Sequence, residues 1–81
     1  MKIKYFAWIK EITHKDFEII HNNHPKDISE LKDILIKSYP DLEKYFSKDI
    51  LRFAINLEYI SDNQDLSSTD EIAIFPPVSG G

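Results

Sequence analysis

The sequence predicts an α+β domain in which a mixed sheet of four to five strands carries one main helix on one face. Segments with the alternating pattern of β-strands occur near both ends of the chain, and the one long segment with helical periodicity lies between them. The chain has 81 residues, a length that makes one small domain, and 42% of them are hydrophobic, which favours a packed core over disorder.

The first elements are two strands joined by a helical turn. Residues 1–6 alternate two lysines and Phe6 with apolar residues, which predicts a strand with Phe6 on the exposed side. Residues 7–13 predict a short helical turn against the core, and residues 16–21 predict a second strand. The polar segment 22–25 is a turn that leads to the main helix.

The main helix begins with a capping box, in which Asp27 accepts from the first backbone N–H groups and Glu30 reaches back. Its buried stripe consists of Ile28, Leu31, Ile34 and Leu35. The helix ends near Ser38, because the next residue precedes a proline and is pushed out of the helical conformation. A short helical turn over 41–46 follows.

The C-terminal half predicts the remaining strands. Residues 52–57 form a third strand. Its inward side chains are expected to be Phe53, Ile55 and Leu57. Residues 59–60 predict a short edge strand, residues 67–70 a turn, and residues 71–75 the last strand with Phe75 on its exposed side.

The element order β-β-α-β-(β)-β in one small domain is typical of the β-grasp, or ubiquitin-like, architecture. In that fold the first and last strands pair in parallel, so Phe6 and Phe75 would adjoin on the face away from the helix and form a docking patch. The alternative, that either phenylalanine is an ordinary core residue, stays open. We expect a β-grasp domain over 1–75 and an extended, flexible tail over 76–81.

Composition excludes several kinds of chemistry. Because the chain has no cysteine, it has no disulfide, thiolate nucleophile or cysteine-bound zinc. The histidines are His14, His21 and His24. His21 and His24 lie at a strand end and a turn with no third ligand nearby, so we predict no metal site. Residues 62–65 lack the glycine and glutamate of a calcium loop. No glycine-rich phosphate loop is present, so we expect no bound cofactor and no ATP site on this chain.

Charge and hydropathy limit the partners. The net charge of −4 disfavours nucleic acid. From Phe53 onward there are five acidic residues and no basic one, which predicts attraction to a basic partner surface; a solvated acidic face explains it equally well. The apolar run 5–9 is too short for a secretory or membrane segment, so we expect a cytoplasmic protein with no membrane partner.

The tail combines a rigid stem with a slim tip. Pro76 and Pro77 lack backbone N–H donors, end the preceding strand and hold the chain extended. Gly80 and Gly81 are the only two glycines, and without Cβ atoms they can thread a narrow channel and bring the α-carboxylate of Gly81 close to a partner's reactive groups. A frayed or added end is the alternative. Because no other reactive group stands out, Gly81 is the candidate for chemistry.

The ending 72–81, with Pro-Pro-Val-Ser-Gly-Gly at its tip, resembles that of the small, sulfur-carrier subunit of molybdopterin synthase. Residues 1–11 are similar to that family's opening strand and turn, and residues 54–60 to its penultimate strand and hairpin. One departure is the turn before the last strand, where the family often has a glycine and this chain has residues 68–70, Ser-Thr-Asp.

The resemblance implies a sulfur carrier of molybdenum cofactor biosynthesis that has no catalytic side chains of its own. An adenylating enzyme, similar to ubiquitin-activating enzymes, would use ATP to form the acyl-adenylate of Gly81, and a sulfurtransferase would convert it to a thiocarboxylate. The tail would then enter the large subunit of molybdopterin synthase and give its sulfur to cyclic pyranopterin monophosphate. The residues implied for the inserted tail are Pro76, Pro77, Val78, Ser79 and Gly80. The residues implied for docking are Phe6, Tyr59 and Phe75.

Other functions remain open beside this one. The same tail chemistry fits a sulfur carrier for thiazole formation or tRNA thiolation. A ubiquitin-like modifier joined through Gly81 to a lysine, or a purely non-covalent interaction module, fits the fold as well.

The resemblance to the small subunit of molybdopterin synthase also implies a heterotetramer of two small and two large subunits.

Overall fold

The computed structural model describes residues 1–77, which form one five-stranded mixed sheet and three α-helices. The strands are β1 (Lys2–Tyr5), β2 (Phe17–Ile19), β3 (Arg52–Ile55), β4 (Glu58–Ile60) and β5 (Glu71–Phe75). The helices are α1 (Ile9–Thr13), α2 (Ile28–Ser38) and α3 (Glu43–Ser47), with a 3₁₀ turn at Pro40–Leu42. Within this part of the chain, no helix is long and apolar enough to cross a membrane.

The strand order is β2-β1-β5-β3-β4, with β1 and β5 parallel and the other pairs antiparallel. One face of the sheet packs on the buried side of α2. The core consists of Ile3, Tyr5, Ile9, Ile28, Leu31, Leu35, Leu42, Leu51, Phe53, Leu66, Ile72 and Ile74. The α+β prediction and the parallel pairing of the first and last strands are therefore confirmed.

Helix α2 begins and ends where the sequence predicts. The Asp27 carboxylate accepts a hydrogen bond from the backbone N–H of Glu30 at 2.8 Å, which satisfies one of the free donors of the first turn. The Glu30 carboxylate reaches back one residue further than a capping box requires and accepts from the N–H of Lys26 at 3.3 Å. At the other end, the N–H of Tyr39 closes the last turn on the carbonyl of Leu35.

Strand β2 turns its apolar residues outward. Phe17 and Ile19 are 51% and 44% exposed, whereas Glu18 between them points to the core side of the sheet. There the Glu18 carboxylate accepts hydrogen bonds from the hydroxyls of Tyr5 and Tyr39, the second at 2.6 Å. Since a shift of one residue would exchange the two faces of the strand, these two bonds hold β2 in the register that exposes Phe17 and Ile19.

The Glu18 cluster makes stability depend on pH. Burial opposes ionisation of Glu18, but hydrogen bonds from Tyr39 and Tyr5 and the charge of Lys15 outweigh it and lower its pKa from 4.5. A lowered pKa in the folded state stabilises the fold above the ordinary pKa, and that contribution is lost as the pH falls below it.

We expect Glu18→Gln to lower the free energy of unfolding at pH 7 by about 1–3 kcal/mol, because two tyrosine hydroxyls lose a charged acceptor. The loss of stability between neutral and acid pH should also become shallower. Urea unfolding at a series of pH values measures both effects, with Glu11→Gln on the exposed side of α1 as the matched control. A Glu18→Gln protein with the wild-type pH profile would contradict this account.

The turns of residues 1–77 use no glycine, as the sequence predicts. Instead, a set of non-glycine residues has positive φ: Ala7, His14, Asn23, Asp49, Asn56 and Leu57. The turn before β5 needs none, because no residue of 67–70 has positive φ and the Asp70 carboxylate accepts from the N–H of Ser67 at 2.7 Å. The turn over 67–70 therefore forms without the glycine that the family often has there.

The prediction that Leu57 points inward is wrong. Strand β3 ends at Ile55, and Leu57 lies in the two-residue turn to β4, where its side chain is 94% exposed. Asn56 and Leu57 have φ of 49° and 72°, as a tight hairpin turn that follows the twist of its strands requires. The alternation of apolar residues continues past the end of the strand, so the pattern alone assigns Leu57 to the wrong side.

Leu57→Gly is expected to stabilise the protein by up to about 1 kcal/mol, since glycine adopts this conformation without steric cost and an exposed side chain contributes no burial. Leu57→Ala keeps the Cβ atom and should leave stability near that of the wild type. The measurement is the urea midpoint of the three proteins. A glycine variant less stable than the alanine variant would show that the turn is unstrained.

Candidate docking surface and tail

The face of the sheet that α2 leaves uncovered is called here the outer face. The register places ten strand side chains on it, three from β5, two each from β1, β2 and β3, and one from β4. From β2 to β4 these are Phe17, Ile19, Lys2, Lys4, Glu71, Ala73, Phe75, Arg52, Ala54 and Tyr59. Phe6 directly follows β1, and its N–H continues the ladder by donating to the carbonyl of Ile74 at 3.1 Å.

Two of the three residues predicted for docking are in contact on this face, and the third, Phe6, follows β1 beside the end of β5. Tyr59 and Phe75 pack edge to face, with ring centroids 5.2 Å apart and planes at 89°. Tyr59 is 68% exposed and Phe6 is 44% exposed, so both present apolar surface to solvent. Phe75 is half-buried beside them. Phe6, Tyr59 and Phe75 are called the aromatic patch below.

The aromatic patch lies where the last strand ends. Phe75 closes β5 and is the register partner of Arg52, the first residue of β3. Pro76 and Pro77 follow at once, half-buried and exposed respectively. Val78, Ser79, Gly80 and Gly81 lie outside the described residues. Gly81 therefore follows this exposed aromatic surface by six residues of chain.

Charged groups flank the aromatic patch rather than form a reaction centre. Lys4 and Glu71 make an ion pair of 2.9 Å on the outer face, and the hydrogen bond and charge of Lys4 lower the pKa of Glu71. In the described part of the chain, no three histidine, aspartate or glutamate side chains are grouped so that they could hold a metal ion. What this face offers a partner is packing area and charge.

Sequence reasoning missed two apolar side chains of the outer face. Phe17 and Ile19 stand on it because Glu18 finds its hydrogen-bond partners on the other side, and one of them, Tyr39, is 21 residues away in sequence. The alternation in 16–21 predicts a strand and leaves open which side faces solvent. The sequence signal for the orientation of this strand is Glu18, an acidic residue between two apolar ones. A buried carboxylate needs hydrogen-bond partners, and Tyr5 and Tyr39 are available on the core side.

The fold and this surface together define a small β-grasp protein whose last strand leads from an aromatic patch into Pro76 and Pro77. A family model described as the ThiS family matches residues 3–81. The chain belongs to the ThiS family.

Individual relatives match this chain over nearly its full length. The molybdopterin synthase sulfur carrier subunit of Dictyostelium discoideum is 42% identical over 85 residues, covering 99% of this chain and 94% of that protein. A chain of the complex of subunits 1 and 2 of the molybdopterin-converting factor from Helicobacter pylori is similar in structure, with a TM-score of 0.68, 28% identity and coverage of 99% and 96%. Small archaeal modifier protein 1 of Haloferax volcanii has a TM-score of 0.77, 27% identity and coverage of 99% and 97%.

Proposed function

We propose that the chain is the sulfur carrier of a molybdopterin synthase and that its working group is the C-terminal carboxylate of Gly81. The observation that carries this proposal is the full-length similarity to molybdopterin synthase sulfur carrier subunits, at 42% identity for the Dictyostelium protein. The position of the aromatic patch at the root of the tail supports it, because a carrier must hold a partner while its tip reacts.

The chemistry begins with activation of a poor electrophile. The Gly81 carboxylate attacks the α-phosphate of ATP on an adenylating enzyme, pyrophosphate leaves, and an acyl-adenylate forms. The terminal sulfur of a sulfurtransferase persulfide then displaces AMP to give an acyl disulfide. A second thiol reduces the S–S bond of this intermediate and leaves as part of a disulfide, so that Gly81 ends in a thiocarboxylate. In the large subunit this sulfur forms a C–S bond to cyclic pyranopterin monophosphate, and water then cleaves the thioester to Gly81, so that the carrier returns as a carboxylate. No side chain of residues 1–77 takes part in bond making.

Docking and tail insertion divide the work. Ordering Val78, Ser79, Gly80 and Gly81 in a channel costs about 1–2 kcal/mol per residue in backbone entropy. Burial of the aromatic patch offsets that cost, and the fixed backbone of Pro76 reduces it further. The domain over 1–75 thus docks on the partner, and the tail over 76–81 enters the partner's active site.

The partners follow from this cycle. The large subunit of molybdopterin synthase accepts the tail, and a solved relative is a complex of subunit 1 with subunit 2 of the molybdopterin-converting factor. An adenylating enzyme and a sulfurtransferase act before it, with ATP consumed by the former. The assembly with the large subunit would be the heterotetramer of two small and two large subunits.

A second function is favoured by one observation. The similarity to small archaeal modifier protein 1, at a TM-score of 0.77, fits a modifier that is joined through Gly81 to lysines of other proteins. Both functions use the same activated carboxylate and differ in the nucleophile, which is sulfur in one and a lysine amine in the other.

The two functions are separated by testing two acceptors, cyclic pyranopterin monophosphate in the large subunit and the lysines of other proteins. We expect thiocarboxylated chain mixed with purified large subunit to convert cyclic pyranopterin monophosphate to molybdopterin, with fluorescence of the oxidised product as the readout. The carboxylate form of the same chain is the matched control and should give none. In a parallel assay the carboxylate chain is incubated with its adenylating enzyme, ATP and acceptor proteins. Lysine-linked adducts there, with no molybdopterin in the first assay, would select the modifier function.

A further inference from the structure

The charge of the outer face differs from that of the whole chain. It carries three cations, Lys2, Lys4 and Arg52, against one carboxylate, Glu71. Adding Asp49, whose carboxylate lies 3.6 Å from Arg52, still leaves the face positive on a chain of net charge −4. Most of the acidic residues after Phe53 therefore lie away from the outer face. The attraction to a basic partner that they predict does not apply to this face.

The excess positive charge lies at the β2 side, beside apolar surface. The Nζ atom of Lys2 lies 4.6 Å from the centroid of the Phe17 ring, and it takes part in no ion pair with another of residues 1–77. Phe17 and Ile19 are about half exposed on the same face. Lys2, Phe17 and Ile19 are called the β2 patch below.

The β2 patch and the aromatic patch belong to one continuous surface. A single row of register partners runs across the outer face from Phe17 through Lys4, Ala73 and Ala54 to Tyr59. Five strands spaced by about 4.8 Å make this row roughly 19 Å long. The two alanines in its middle are the smallest side chains of the row, so they leave a shallow floor between an aromatic residue at either end.

The aromatic patch alone is small for a stable complex. Aromatic side chains bury about 150–250 Å² each, so three partly buried rings expose roughly 300 Å². A specific interface needs roughly 800 Å² on each partner. The rest of the outer face, up to the β2 patch, supplies further area without any change in the fold.

We propose that the surface that docks the large subunit extends over the whole outer face to the β2 patch, and that the large subunit places carboxylates opposite Lys2 and Lys4. This rests on the proposed function. An acidic, partly apolar partner complements a face that is basic and partly apolar. A second copy of this chain is the poorer occupant, because two positive faces would oppose each other.

Two substitutions in the β2 patch test this, each with a matched control away from it. Lys2→Glu is compared with Lys37→Glu, which makes the same charge change on the exposed side of α2. Phe17→Ser is compared with Leu57→Ser, which removes an apolar side chain that is more exposed. Binding of purified large subunit is measured by calorimetry at two salt concentrations, and sedimentation of each variant alone reports self-association.

We expect Lys2→Glu and Phe17→Ser each to raise the Kd for the large subunit about tenfold, and the controls to stay within about twofold of the wild type. The effect of Lys2→Glu should shrink at high salt. Variants that bind like their controls would overturn the extended surface while leaving the proposed function standing. A wild-type chain that self-associates through Phe17 would overturn it in favour of a second copy. A folded wild-type chain that does not bind the large subunit at all would overturn the proposed function, and this inference with it.

Discussion

A chain that carries one extra alanine after Gly81 is expected to lose sulfur transfer completely. The added residue moves the carboxylate one residue further and puts a peptide bond where the acyl-adenylate must form, so no thiocarboxylate can arise at Gly81. The fold should be unaffected, because the core residues all lie between Ile3 and Ile74. The measurement is molybdopterin formation with the activating enzyme, sulfur source and large subunit present.

A removable extension provides the control for this prediction. A protease that cuts directly after Gly81 should restore activity to the extended chain in the same tube, which separates loss of the terminus from loss of folding. The urea midpoint of the extended chain should match that of the wild type. Sulfur transfer by the uncut extended chain would rule out every function that depends on the Gly81 carboxylate.

The second large effect is expected at the aromatic patch. Phe75→Ser should weaken binding of the large subunit by about 30-fold, or about 2 kcal/mol, because a central aromatic anchor is lost next to the root of the tail. Tyr59→Ser removes the ring that packs on Phe75 and is itself largely exposed, so it should weaken binding with little change in stability.

Leu57→Ser is the control for both changes at the aromatic patch. Its side chain is an exposed apolar group in the turn at the other end of β4, away from the tail. Binding is measured by calorimetry, with the urea midpoint of each variant recorded beside it. If Tyr59→Ser and Phe75→Ser proteins were folded and bound the large subunit as tightly as Leu57→Ser, the aromatic patch would not be the docking surface.

Local pattern was enough to predict the parts of the fold that depend on neighbours in sequence. The alternation over 71–75 puts Ile72 and Ile74 in the core, and the structure agrees. The cap at Asp27 and the proline after Tyr39 define α2 within the chain itself. Once these elements are ordered along the chain, few topologies remain. The β-grasp architecture, of which this order is typical, pairs the first and last strands in parallel.

What the sequence could not give depends on contacts between distant residues. The outward position of Phe17 is decided by Glu18, whose hydroxyl partners come from β1 and from the end of α2. The exposure of Leu57 depends on where pairing of β3 with β4 stops, which alternation does not mark. The positive charge of the outer face likewise appears only when the register brings Lys2, Lys4 and Arg52 to one side.

The residues predicted for the site divide in the same way. Tyr59 and Phe75 are in contact on the outer face, Phe6 follows β1 beside the end of β5, and the role of all three in docking stays a prediction. The tail residues from Val78 to Gly81 lie beyond the described part of the chain, so their insertion and chemistry rest on the proposed function alone.

The most direct test of the sulfur-carrier function is the intact mass of the chain after incubation with its adenylating enzyme, ATP and a sulfur source. We predict a mass gain equal to the exchange of one oxygen for one sulfur, located by fragmentation at Gly81 and absent when ATP is omitted. A chain that binds the adenylating enzyme and turns over ATP but keeps both carboxylate oxygens, or acquires sulfur at any other residue, would contradict it.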